Sequence, residues 1–287
     1  MVATIPLTHA PVPFGGGPLT TGEGAVWAVS ISGKKMLRIE PARNAVVARM
    51  KLPPPEATAA GDGGVWLTYP STNTVVRIDP ATNHVVARIR VGLQPSGIAL
   101  SPHAVWVANA GGPSISRVDP ATNRVTAAIR VGPRSACCSE HMSLAVVPGA
   151  VWVAVPNANQ IVRIDPTSLK VVARITIPFG PCASLVVGAA RVWSAGGGCS
   201  DVVGGVDPHT GGLTSRVYEP HPVGLAFTDG SLYVGAIDSG NLERIDARTG
   251  RLTATLHVGG TPVRLAVGFG SIWVNDDQGR VLRVKAG

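Results

Sequence analysis

The chain has 287 residues and a formal net charge of +8; 45% of its residues are hydrophobic but only 5% are aromatic. Its 35 Gly and 24 Pro favour short strands joined by tight turns over long helices. No apolar run is long enough to span a bilayer, and the basic residues are spread along the sequence. These patterns argue against a membrane-spanning protein and against a nucleic-acid-binding protein.

A short apolar strand with an aromatic residue at its centre recurs along the whole chain. The aromatic positions are Trp27, Trp66, Trp106, Trp152, Trp193, Tyr233 and Trp273, spaced 39 to 46 residues apart. A period near forty with four strand-like segments per unit indicates a β-propeller blade. We therefore predict one all-β domain over residues 1–287, a seven-bladed propeller whose blades are four-stranded antiparallel sheets with strands A to D.

The first predicted element, residues 2–7, is a strand that precedes the first complete unit. The last unit has segments for strands A, B and C, and the chain then stops at Gly287. Pairing residues 2–7 with strand C of this unit would remove two exposed sheet edges. We predict that the N-terminal strand completes the last blade and closes the ring.

Turns of the Asp-Pro type join strands C and D, for example at 79–83 and 119–123. The Asp accepts backbone N–H bonds and the Pro presets the backbone for a type I turn. An arginine stands two residues before this Asp or its equivalent, at Arg38, Arg77, Arg117, Arg163, Arg244 and Arg283. Because these features repeat in nearly every unit, we predict a structural turn and a solvated structural rim.

The opposite end of the predicted propeller carries the B–C and D–A connections, which differ between units. The longest of them, residues 132–142, contains His141. Sites tend to lie on loops held by a rigid scaffold, so we place the functional site at this end, around the mouth of the central channel. For His141 two interpretations remain, a base or ligand at the mouth, or a partly buried polar cap.

All four cysteines lie on this same face. Cys137 and Cys138 precede one strand A, Cys182 precedes the next, and Cys199 follows strand B of that unit. A Cys182–Cys199 disulfide and a vicinal Cys137–Cys138 pair are geometrically reasonable. Free thiols and a metal site with His141 remain as alternatives, although no pair has C-x₂-C spacing. Disulfides would indicate an oxidising compartment, so we expect an extracytoplasmic or secreted protein, with no secretion signal visible in residues 1–7.

In the last unit Arg264 stands where other units have Gly97 or Gly224, and Asp276 and Asp277 follow strand B. Two interpretations remain, an ion pair that caps the channel or a pocket that binds a carboxylate or another anion. The candidate ligand-binding residues are Tyr69, Asn109, His141, Asn157, His221, Asp238, Arg264 and Asp276. The catalytic candidates are His141, His221, Asp276 and Asp277.

Three phrases carry a resemblance to a known family: residues 95–99 (PSGIA), 105–109 (VWVAN) and 117–120 (RVDP). They resemble the repeats of bacterial seven-bladed YVTN and NHL-like propellers, which are related to the streptogramin (virginiamycin B) lyases. The resemblance covers essentially the whole chain. In the lyases of that family, the resemblance implies a Pro-His-Gly sequence before strand A of the last blade and a Glu later in the chain. These residues serve a magnesium-assisted elimination. Here Val263 replaces that His and the closest carboxylate is Asp277, so the expected proton-moving group is missing.

Two functions follow from these observations. The first is a non-catalytic, monomeric module that binds a protein, peptide or small ligand on the D–A/B–C loop face, without a metal or cofactor. The alternative is a lyase or hydrolase that acts on a small cyclic or ester-containing molecule at the channel mouth, with a divalent ion if needed. A sensor domain of a larger receptor is a third interpretation.

Overall fold

The computed structural model describes residues 1–7, 16–133 and 141–286, which form seven four-stranded antiparallel sheets arranged as the blades of a propeller. β1 (Ala3–Pro6) begins the chain. Blade 1 contains β2 (Leu19–Gly22), β3 (Ala25–Ser30), β4 (Lys35–Glu40) and β5 (Ala45–Lys51). Blade 2 contains β6 (Thr58–Gly61), β7 (Gly64–Tyr69), β8 (Thr74–Asp79) and β9 (His84–Arg90). Blade 3 contains β10 (Pro95–Ser101), β11 (Ala104–Asn109), β12 (Ser114–Asp119) and β13 (Arg124–Arg130).

The remaining blades follow the same order. Blade 4 contains β14 (Leu144–Val147), β15 (Ala150–Val155), β16 (Gln160–Asp165) and β17 (Lys170–Thr176). Blade 5 contains β18 (Leu185–Gly188), β19 (Arg191–Ala195), β20 (Val202–Val206) and β21 (Leu213–Tyr218). Blade 6 contains β22 (Pro222–Thr228), β23 (Ser231–Ala236), β24 (Asn241–Asp246) and β25 (Arg251–His257). Blade 7 contains β26 (Pro262–Gly268), β27 (Ser271–Asp276) and β28 (Arg280–Lys285), and single 3₁₀ turns lie at Pro156–Ala158 and Gly197–Cys199.

The chain closes the ring through its first strand, as the sequence predicts. β1 pairs antiparallel with β28, with Ala3 opposite Arg283 and Ile5 opposite Val281. The Ile5 side chain is 3% exposed and packs in a cluster with Leu19 of blade 1 and Trp273 of blade 7. The closing strand therefore completes blade 7 and also joins it to blade 1.

The aromatic column forms a buried layer, also as predicted. Its seven members are at most 4% exposed. In most blades an indole N–H donates to a backbone carbonyl five residues earlier, as in Trp27 to Gly22 and Trp273 to Gly268. Satisfying the buried donor in this way lets a large ring pack between sheets at little cost.

The arginine column is structural, and Arg38, Arg77 and Arg283 join neighbouring blades rather than forming a simply solvated rim. The guanidinium carbon of Arg77 lies 4.9 Å from the Trp66 ring centroid, and its Nη1 donates to the Pro120 carbonyl of the next blade. Arg38 donates in the same way to Pro80. These two acceptors belong to Asp-Pro turns of the next blade, whereas Arg117 donates to Thr126 of its own blade.

The Asp-Pro turns have the predicted geometry. Asp79 and Asp119 each accept a hydrogen bond from the backbone N–H two residues later at 2.8 Å, and Asn83 and Asn123 take the left-handed conformation with φ of 60° and 55°. These donors hold the pKa of both aspartates below its ordinary value. The Asp and Asn side chains of these turns therefore have a structural role, which is to stabilise the turn.

Within the described ranges 1–7, 16–133 and 141–286, the helical segments are too short to cross a bilayer. The A strands of neighbouring blades contact one another around the axis. Their side chains therefore line the central channel, and their first residues follow the D–A connections where the site is expected.

Candidate functional site

A cavity of about 220 Å³ lies at the centre of the ring, and A-strand residues from all seven blades line it. Its polar lining residues are Glu56, Thr58, His141, Ser143, Ser184 and Arg264. They all lie within the first residues of an A strand or up to three residues before it, at the end of a D–A connection. The polar groups therefore lie at the end of the channel that carries the variable loops, and we call this set the mouth cluster.

Arg264 is the one long side chain in its ring of equivalent positions. Strand pairing shows the equivalence, because Gly97, Gly224 and Arg264 face Ala108, Gly235 and Asn275 at the same step of strand B. The position is occupied in chain order by Pro18, Ala57, Gly97, Ser143, Ser184, Gly224 and Arg264. A single cation therefore enters a channel that is otherwise ringed by small side chains at this level.

The Arg264 guanidinium has no hydrogen bond or ion pair to any residue in the described part of the chain, and its Nε is buried. Burial lowers the pKa of Arg264, and the Glu56 carboxylate partly opposes this change. A guanidinium stays protonated even in such surroundings, so the positive charge persists in the channel. It is a partly buried cation that is not paired within the described structure.

His141 lies beside this cation and is neutral at neutral pH. Its Nε2 is 3.8 Å from Glu56 Oε1, and 25% of the side chain is exposed. Burial, followed by repulsion from Arg264, lowers the pKa of His141 from 6.5 to about 4. The contact with Glu56 is therefore not an ion pair at neutral pH, and Nε2 has no hydrogen-bond partner among the described residues.

Two hydroxyls at the mouth are also without partners. Ser143 is 9% exposed, and within residues 1–7, 16–133 and 141–286 its Oγ makes no hydrogen bond; the same holds for the buried Thr58 Oγ1. Together with His141 Nε2 and Arg264 Nε, these are four buried polar atoms that line one cavity and have no partner in that part of the chain. Buried polar groups in folded proteins nearly always find a partner, so this cluster is suited to hydrogen bonds with a molecule from outside the chain.

The two aspartates of blade 7 do not belong to the mouth cluster. Asp276 is fully buried, and its Oδ2 accepts from Arg280 Nε at 2.9 Å and Nη2 at 2.6 Å. Asp277 Oδ1 accepts from the backbone N–H of Thr261 at 2.8 Å. The interpretation of an ion pair between Arg264 and either aspartate is therefore wrong, because Arg280 and loop backbone take those carboxylates.

The other candidate residues lie apart from the cavity. Tyr69 is 8% exposed and donates to the Pro53 carbonyl, while Asn109 is fully buried and donates to Ser114 and Ser116. His221 and Asp238 form a surface pair with Nδ1 and Oδ1 3.5 Å apart, and Asn157 is exposed on a 3₁₀ turn. Of the candidates named from sequence, His141 and Arg264 are brought together, and the others are not among the cavity-lining residues.

Sequence reasoning missed Glu56, Thr58, Ser143 and Ser184. The signal for them was present, because each is polar near the start of an A strand, where most other units place Pro, Gly or an apolar residue. Alignment of the seven A strands, rather than attention to the longest loop, would have found them.

The predicted Cys182–Cys199 disulfide is present, with the two Cα atoms 6.0 Å apart. It ties the D–A connection before blade 5 to the loop after β19, next to Ala183 at the cavity wall. Such a bond is typical of proteins from oxidising environments. Cys137 and Cys138 lie outside the described residues, so their pairing stays a prediction. Across residues 1–7, 16–133 and 141–286, no group of three or more His, Cys, Asp or Glu side chains is placed to hold a metal.

No protein-family model matches the sequence, and no curated protein matches it significantly. Solved structures do match over nearly the whole length. The chain is similar to hydrazine synthase of Kuenenia stuttgartiensis (TM-score 0.82, 16% identity, 98% of this chain and 97% of that chain). It is also similar to virginiamycin B lyase of Staphylococcus aureus (TM-score 0.79, 16% identity, 99% of both chains) and to BamB of Moraxella catarrhalis (TM-score 0.70, 16% identity, 99% of both chains). At this level of identity the similarities show the fold alone, and the chain has the seven-bladed propeller architecture of these proteins.

Proposed function

We propose that this protein is a non-catalytic binding module, active as a monomer, that holds a small polar ligand in the mouth cluster. One observation carries the proposal: four buried polar atoms from three different blades line the same cavity and have no hydrogen-bond partner in the part of the chain that the structure describes. Desolvating such atoms costs free energy unless a hydrogen bond replaces the lost water. A ligand seated in the mouth recovers that cost, and a rigid ring of strands keeps the groups in place for it.

The state of His141 favours binding over catalysis. A general base works best when its pKa is close to the working pH, and a pKa of about 4 makes this imidazole a weak base at neutral pH. The candidate carboxylates Asp276 and Asp277 are engaged by Arg280 and by loop backbone. The proposal includes no metal or cofactor. We also assign the protein to an extracytoplasmic compartment, which the Cys182–Cys199 disulfide supports.

A second candidate function is a lyase or hydrolase of the streptogramin-lyase type. Its support is that the mouth places a neutral imidazole, His141, beside a carboxylate, Glu56, and an unpaired guanidinium, Arg264, on the fold of virginiamycin B lyase. In that case His141 would accept the proton and Arg264 would stabilise the developing negative charge. A divalent ion would be an addition specific to this alternative.

The two functions are separated by a fragment screen followed by turnover assays. We expect ligand-observed NMR to find small polar fragments that bind the wild-type protein and lose binding in His141→Ala. A matched control is His209→Ala, because His209 is exposed on an Asp-Pro turn at the opposite end. Unchanged binding in His141→Ala would overturn the proposed site. Conversion of cyclic or ester-containing ligands by wild type but not by His141→Ala would establish the enzyme instead.

A further inference from the structure

The mouth cluster also indicates which chemical class of ligand it accepts. We infer that the ligand is a small monocarboxylate, with its carboxylate held by Arg264. This inference rests on the proposed function, because it requires that the mouth is a binding site at all. The charge, the hydrogen-bonding groups and the size of the cavity all favour this class of ligand.

The Arg264 guanidinium provides the charge that attracts an anion. Arg264 carries a positive charge into a ring of small residues, and no carboxylate in the described part of the chain pairs with it. The carboxylates that the sequence placed near it serve other partners, as Arg280 shows for Asp276. Guanidinium groups present planar paired donors that match a carboxylate, and such charged hydrogen bonds are about twice as strong as neutral ones. An anionic ligand group is the partner that this partly buried cation lacks.

The neighbouring groups restrict the anion to a single negative charge. Glu56 lines the same cavity and acts electrostatically on Arg264. A second negative charge on the ligand would be repelled by this carboxylate, which disfavours phosphate and dicarboxylates. Neutral His141 and the hydroxyls of Thr58 and Ser143 can each donate or accept, so they suit the uncharged polar groups of a monocarboxylate. The Glu56 carboxylate in turn accepts a hydrogen bond from a hydroxyl or amino group of the ligand.

The size of the cavity restricts the ligand further. Its volume of about 220 Å³ lies below the roughly 300–1,000 Å³ of pockets that hold drug-sized ligands. This favours short hydroxy or amino monocarboxylates over long-chain acids. The apolar part of the wall, from Leu144, Leu185 and Leu225, accommodates a short aliphatic group beyond the carboxylate.

The test compares matched acids and amides on the same protein. Glycolate, lactate and 2-hydroxybutyrate are titrated against their primary amides, with inorganic phosphate and malonate as further probes. The readout is the shift of the His141 imidazole signals in ¹H–¹⁵N NMR spectra, which also gives Kd. We expect the acids to bind at least about tenfold more tightly than their amides, because one charged hydrogen-bonded pair is lost in the amide.

Two matched variants distinguish the effect of losing the Arg264 charge from an effect on folding. Arg264→Ser places at this position the residue that blades 4 and 5 already carry, so the fold should tolerate it. We expect it to abolish the difference between acid and amide. Arg124→Gln removes the same charge from an exposed position on β13 and should preserve the difference. Melting temperatures confirm that both variants are folded.

The other possible results distinguish failure of this inference from failure of the proposed function. Equal affinity for acids and amides at the mouth would overturn this inference but leave the proposed binding function standing. Tighter binding of phosphate or malonate than of the monocarboxylates would also overturn it. Failure of every fragment, charged or neutral, to shift His141 would overturn the proposed function itself.

Discussion

His141 makes the stability of this protein depend on pH, because the pKa of its imidazole is lower in the folded protein than in the unfolded chain. Its pKa falls from the ordinary 6.5 to about 4 in the folded state, through burial and repulsion by Arg264. Between these values the unfolded chain binds a proton that the folded protein does not. Stability is therefore lost as the pH falls from about 6.5 to about 4. The two pKa values give a loss of about 2.5 kcal/mol at pH 4.5 relative to pH 7.5.

This loss can be measured by urea unfolding of wild type and His141→Gln at pH 7.5 and pH 4.5. Other groups titrate in the same range, so the useful quantity is the difference between the two proteins. We expect the wild type to lose about 2.5 kcal/mol more than His141→Gln on acidification. His209→Gln is the matched control, because its side chain is 85% exposed, and it should behave like the wild type. Equal losses in wild type and His141→Gln would refute the assignment of a buried, neutral His141.

Three further predictions concern the frame around the site. Ile5→Ala removes a buried side chain between blades 7 and 1 and should reduce the free energy of unfolding by about 2–5 kcal/mol in urea; an unchanged value would contradict closure by β1. Burial and the Glu243 carboxylate raise the pKa of Glu219 from 4.5 to about 7, so the protein should become less stable as the pH rises through that interval. Glu243→Leu should weaken this pH dependence, and an unchanged pH profile of urea unfolding in the variant would disprove the coupling. Replacing Cys182 and Cys199 together by Ser opens a loop of 17 residues and should cost about 3 kcal/mol in the same assay; wild-type stability in the double variant would show that the bond is not formed.

The fold could be predicted from sequence because its determinants are local and repeated. The tryptophan strands set the number of blades, and each Asp-Pro turn is encoded within five residues, so both were found without a structure. Closure by residues 2–7 followed from one missing D strand in the last unit and is confirmed by the pairing of β1 with β28. The Cys182–Cys199 bond was also accessible, because both residues flank strands of one predicted blade.

The arrangement of the site was less accessible, because it depends on residues far apart in the chain. Glu56, His141 and Arg264 meet only when blades 2, 4 and 7 are placed around one axis. The sequence drew attention to Asp276 and Asp277 because they lie near Arg264 along the chain, yet Asp276 bonds to Arg280 four residues away. The arginine column had the same difficulty, since its acceptors lie in the neighbouring blade, as Pro80 does for Arg38.

The central claim is that the mouth cluster is the ligand site of this propeller. The most direct measurement is a crystal structure of the wild-type protein soaked with the tightest fragment from the NMR titrations. We expect density for the fragment in the channel mouth, in contact with Arg264, His141 and Ser143. Density on the outer loops, for instance beside the His221–Asp238 pair, with an empty mouth at saturating fragment, would contradict the claim.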